Sequence, residues 1–120
     1  MGSDVAARAN YLYVASMDVD PDKEALFNEV YDTEHIPMLL KVPGVISIKR
    51  YVTVPLTVTI GGQARTIAAE GEPRYSAVYE IENPEVLTSE AWAAAVEAGR
   101  WPAEVRPYTH NRRLSLRKLV

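Results

Sequence analysis

Apolar and polar residues alternate over six short stretches of the chain, and two longer stretches repeat their apolar residues at helical spacing. The first alternating stretch covers residues 10–17, is rich in aromatic and β-branched residues, and ends at the turn-former Asp18. A helix is predicted next, with Asp20 as cap, Pro21 in the first turn and Leu26, Phe27 and Val30 as its inward stripe. Pro37 lacks a backbone N–H and biases Ile36 away from helical geometry, so this helix is expected to end or kink near His35, with "MLLKV" adding at most one turn. The turn "VPG" (42–44) launches a second strand, "VISIKRYVTV". Two alternating runs around Gly61 and Gly62 predict an extra hairpin over 56–69. A third strand follows in "RYSAVYEIE". A second helix runs from Asn83 and Pro84 to Gly99, and after the connector "WPAEVRP" residues 108–119 form a fourth strand.

The order β-α-β-(hairpin)-β-α-β is that of an α+β, ferredoxin-like sandwich, here with a hairpin insertion. A single domain over 10–120 is expected, and residues 1–9 read as a disordered tail or an expression remnant. Both helices of such a fold cover one sheet face. In the first strand Tyr11, Tyr13, Ala15 and Met17 oppose Leu12, Val14 and Ser16, so neither face is plainly polar. The face without helices is therefore expected to be covered by a second copy in a homodimer.

Composition narrows the chemistry. No apolar run approaches the roughly 20 residues of a membrane-spanning helix, and nothing at the start resembles a signal peptide, so a cytoplasmic address is expected. The chain has no cysteine, which removes disulfides, thiolate metal sites and a cysteine nucleophile. Its net charge of −3 predicts no general affinity for nucleic acid, although the tail "NRRLSLRKLV" forms a locally basic edge. Hydrolase, P-loop and dinucleotide fingerprints are absent.

Helix one ending in "YDTEHIP", then "VPG" and the strand "VISIKRY", resembles the dimeric α/β-barrel superfamily and within it the EthD-like branch. The resemblance implies ferredoxin-like subunits whose sheets pack face to face. It also implies a range of activities: cofactor-free monooxygenases, lactone isomerases, polyketide cyclases, haem-dependent relatives and proteins without assigned activity. Fold does not choose among them.

Candidate residues concentrate at the end of helix one. A helical wheel puts Glu34 inside the apolar stripe, with Tyr31 on its flank and His35 beyond. An acid there is either a general acid/base with a raised pKa or the solvated last turn of a frayed helix. The superfamily resemblance implies a histidine and a tyrosine as acid/base and oxyanion donor, and His35 and Tyr31 are the nearest matches. The alternative for His35 is a favourable dipole contact at a helix end. His110 shares a strand face with Tyr108 and Arg112 and either completes the acid/base set or lies at the dimer interface. For substrate binding the candidates are Arg50, Tyr75, Tyr79, Trp92 and Tyr108, each with a plain structural reading as core aromatic or ion-pair partner. No metal or other cofactor is expected, since His35, His110 and Glu34 lack metal-ligand spacing.

The sequence thus predicts a cofactor-independent enzyme that acts on a small cyclic or aromatic substrate by acid/base chemistry next to a carbonyl, as an isomerase, cyclase or lyase. The alternatives are a cofactor-free monooxygenase of an electron-rich phenol and a non-enzymatic ligand-binding dimer.

Overall fold

A computed structural model describes residues 10–120, so the expectation for residues 1–9 lies outside the described residues. Four strands, β1 (Tyr11–Val19), β2 (Val45–Val52), β5 (Tyr75–Ile81) and β6 (Thr109–Lys118), form one antiparallel sheet in the order β2-β5-β1-β6. The expected hairpin is present as β3 (Leu56–Ile60) and β4 (Gln63–Ile67), a separate two-stranded ribbon. Its turn residues Gly61 and Gly62 both have positive φ, the conformation that two-residue hairpin turns require. This is the ferredoxin-like α+β arrangement, with the central strands β1 and β5 contributed by the two halves of the chain.

The helical layer is more broken than the spacing predicts. Helix one is a 3-10 turn (Pro21–Lys23), helix α1 (Glu24–Val30), a π-helical turn (Tyr31–His35) and helix α2 (Ile36–Leu39). Pro37 does not end the helix. The widened turn just before it relieves the clash between a proline ring and the carbonyl four residues earlier, so the helix continues to Leu39.

The second expected helix splits. Pro84–Thr88 form a 3-10 segment, Ser89 is extended, and its Oγ accepts the Trp92 N–H to cap helix α3 (Glu90–Val96). The expected connector is itself helical, a π-helical turn (Trp101–Val105) followed by a 3-10 turn (Arg106–Tyr108).

The core lies between this layer and the sheet. Ala15, Met17, Ala77, Tyr79 and Ile81 of the central strands meet Phe27, Val30, Leu39 and Trp101. The opposite sheet face carries Leu12, Val14 and Val78 together with Ser16, Ser76 and Glu80 on its central strands, with Lys49, Ser115 and Arg117 toward its edges. Among the described residues no helix is long and apolar enough to cross a membrane. Phe27 has no exposed surface, and its ring meets Tyr31, Tyr75 and Trp101 at once. Phe27→Ala is expected to cost about 3–5 kcal/mol of unfolding free energy, read from denaturant midpoints.

Candidate active site

The π-helical turn decides what helix one presents to the sheet. Within it the Ile36 N–H donates to the Tyr31 carbonyl, five residues back. Each revolution takes more residues than in an α-helix, and the buried series becomes Phe27, Tyr31, His35 and Leu39, four apart. A regular wheel instead turns Glu34 inward. The extra width swings Glu34 out and brings His35 to the sheet.

His35 is only 5% exposed. Its ring stacks on Trp101, with centroids 4.3 Å apart and planes 17° from parallel, and meets Tyr31 edge-on at 5.1 Å. Nδ1 is enclosed without a hydrogen-bond partner, which leaves Nε2 as the nitrogen able to meet a ligand. Burial, helped by the nearby Arg106 charge, lowers the His35 pKa to about 4, so the ring is neutral at pH 7.

A half-open cavity of about 180 Å³ lies between helix one, α3, the Trp101 turn and the sheet. His35 and Trp101 form one wall, and Tyr13, Tyr31, Tyr79 and Trp92 form an aromatic floor. The Tyr31 and Tyr79 hydroxyls are 3.3 Å apart. Burial pushes Tyr31 up to about 12 and raises Tyr13 and Tyr79, so all three stay protonated and able to donate. Arg106 and Arg112 reach the cavity from the connector and from β6. The sequence marks Arg112 only as part of a basic edge that could meet an anion, and Arg106 not at all.

Five sequence candidates lie elsewhere, each for a physical reason. Glu34 accepts from the Arg100 backbone N–H at 2.9 Å and from Arg100 Nε at 2.6 Å, bonds that lower its pKa rather than raise it. It closes the helix-one end onto the loop before Trp101. Gly99 in that loop has φ +70°, and a Cβ there would stand 2.7 Å from Glu34 Oε1, so only glycine admits the contact.

His110 leaves the cavity face because β6 is irregular. Arg113 pairs with Ser16 and His110 with Asp18, so Asn111 and Arg112 together oppose Met17 in a bulge with Asn111 at φ 51°. The bulge breaks the alternation that would put His110 and Arg112 on one face, and His110 Nδ1 lies 3.4 Å from Asp20. Arg50 is held by Asp32 at 2.8 Å and Asn28 at 2.6 Å, over the Tyr31 ring. The Tyr75 hydroxyl donates to Glu24, and Tyr108 lies under the Lys23 ammonium. Of the proposed set, the cavity gathers Tyr31, His35, Tyr79 and Trp92. Among the described residues no group of three or more His, Asp or Glu is placed to share a metal ion.

The depressed His35 pKa has a signed consequence for stability. The unfolded chain takes up a proton below about 6.5 while the folded chain resists until about 4, so stability is lost as pH falls through that window. Between pH 7 and pH 5 the loss due to His35 is about 2 kcal/mol. His35→Leu is expected to remove this part of the pH dependence, checked by urea unfolding of both proteins at the two pH values.

No family profile matches the sequence, and neither does any curated protein. Solved structures do match. The haem degrader MhuD from Mycobacterium tuberculosis, with two haems bound in its active site, superposes with a TM-score of 0.59 at 17% identity, over 92% of this chain and 95% of that one. A putative antibiotic biosynthesis monooxygenase from Bordetella bronchiseptica gives 0.60 at 15% identity, over 92% and 96%. An ethyl tert-butyl ether degradation (EthD) family protein from Bacillus halodurans gives 0.56 at 14%, over 92% and 99%. Likeness across almost the whole of each chain, on top of the sheet order and helical layer, shows that this chain shares the ferredoxin-like fold of these proteins.

Proposed function

We propose that the chain is a cofactor-independent enzyme that moves a proton next to a carbonyl of a small cyclic or aromatic substrate. The observation that carries this reading is the meeting of one neutral, unpaired histidine and three protonated tyrosines in a cavity about the size of one ring. An apolar cavity of roughly 150 Å³ admits benzene, so about 180 Å³ suits a single ring with small substituents.

In this reading His35 Nε2 takes the proton from the carbon beside the carbonyl. The electron pair moves onto the carbonyl oxygen, and the Tyr31 hydroxyl donates to the resulting oxyanion. Return of the proton to a different carbon gives an isomer; loss of a leaving group gives elimination. An imidazole with a pKa of about 4 is a weak base in the empty cavity. Its protonation becomes favourable as the oxyanion develops beside it, since the two charges form a pair in a place of low polarity. Glu34 acts as a positioning group through Arg100 and the loop that seats Trp101 against His35.

Haem does not fit this arrangement. Pockets for drug-sized ligands span roughly 300–1,000 Å³, against about 180 Å³ here. The fold is shared with a putative monooxygenase, and deprotonation of a phenol by the same histidine is the first step of a cofactor-free oxygenation. Oxygen consumption that matches turnover one to one would replace the isomerase reading with that one.

For whichever cyclic carbonyl compound is turned over, His35→Gln is expected to lower kcat by about 100-fold or more, with ligand affinity retained. An unchanged kcat sinks the assignment to His35 and leaves a different base. In the wild type, kcat/KM corrected for ionisation of the substrate should hold down to about pH 5 and fall with a midpoint near 4, where free His35 becomes charged.

A homodimer through the helix-free sheet face goes with this proposal. Leu12, Val14 and Val78 form an apolar patch on its central strands, flanked there by Ser16, Ser76 and Glu80, and a second copy would cover it. Val78→Asp is expected to convert a dimer into a monomer in sedimentation velocity, and a dimer unaffected by it places the interface elsewhere.

A further inference from the structure

The two arginines at the cavity differ in one respect. Arg106 is neutralised: Nη1 and Nη2 donate to the Glu97 carboxylate at 3.1 and 2.7 Å, and Nη2 also donates to the Val96 carbonyl at 2.7 Å. Arg112 is not. Its Nε and Nη2 donate to Thr109 Oγ1 at 3.1 and 2.6 Å, and Nη2 donates to the Arg106 carbonyl at 3.3 Å. These acceptors are neutral, so they fix the guanidinium plane without cancelling its charge. Among the described residues no carboxylate pairs with it, and Nη1 makes no hydrogen bond.

The backbone is shaped to deliver this charge. Asn111 holds a left-handed conformation that non-glycine residues rarely adopt, and its Nδ2 donates to Asp18 Oδ2 at 2.9 Å and the Gly71 carbonyl at 3.3 Å. The resulting bulge sends His110 out and keeps Arg112 beside Leu114 on the cavity wall. Arg112 lines the cavity together with Tyr13, Tyr31 and Leu114, and its charge offsets part of the burial that raises Tyr13.

We propose that the cavity takes a single-ring carboxylic acid whose carboxylate is bound by Arg112, leaving the ring against the aromatic floor and its reactive carbon toward His35. This specifies the substrate class and rests on the reading of the cavity as the substrate site. A guanidinium fixed by neutral partners, with Nη1 open, favours an anionic ligand over a neutral one. Arg50, the arginine that the sequence singles out for this task, already spends its charge on Asp32.

The chain has two tryptophans, Trp92 and Trp101, and both line the cavity, so their fluorescence reports its occupancy. Benzoate and its neutral isostere benzamide are the probes, titrated against wild type, Arg112→Gln and Arg113→Gln. Arg113 lies on the same strand and is exposed like Arg112, but it pairs with Glu72 and does not line the cavity. Wild type should bind benzoate at least tenfold more tightly than benzamide, the scale of one hydrogen bond to a charged group. Arg112→Gln should erase that preference with benzamide affinity unchanged, and Arg113→Gln should keep it. Binding of both probes without preference, or a preference that survives Arg112→Gln, overturns the carboxylate assignment while the cavity remains the ligand site. Quenching by neither probe overturns both.

Discussion

The stacking of His35 on Trp101 is the contact on which the rest of the site depends. It excludes water from one side of the imidazole, leaves Nδ1 without a partner and pushes the ring to its neutral form. An imidazole in water would be half charged near its ordinary pKa and hydrogen-bonded on both nitrogens. Here only one nitrogen can interact with a ligand.

That contact exists because two departures from regular helix face each other. The π-helical turn at Tyr31–His35 rotates His35 inward, and a second one at Trp101–Val105 supplies the indole. Between them sits the Glu34–Arg100 clamp, with Glu29 as a further partner of Arg100 at 2.9 Å. The clamp is open to solvent on one side, so its contribution to global stability is small. Its effect is local: it fixes the loop through Gly99 that decides where Trp101 lies.

Element order, the hairpin and the sheet were legible in the sequence because they depend on period-two alternation, glycine turns and proline punctuation, which are local signals. Within the site, legibility ended wherever the chain slips phase. Glu34 is inward on any regular wheel, and a single widened turn reverses its place with that of His35. His110 and Arg112 share a face in any regular strand, and the bulge at Asn111 separates them. Pro37 signals a disturbance nearby without saying that it takes the form of an extra residue per turn. Asn111 is a residue type that tolerates left-handed backbone, the one local hint of the bulge. The pairing of Arg50 with Asp32 and the free edge of Arg112 are tertiary facts that no spacing encodes.

The central claim, a neutral histidine enclosed against Trp101 with one nitrogen available, is tested most directly by NMR titration of the His35 ring with labelled imidazole. The account predicts a neutral ring throughout pH 5–7 that titrates near pH 4. It also predicts large ring-current shifts on the His35 protons that disappear in Trp101→Leu. A ring that titrates at its ordinary value or above, with shifts indifferent to Trp101, would contradict the account, because His35 would then be solvated or paired rather than enclosed.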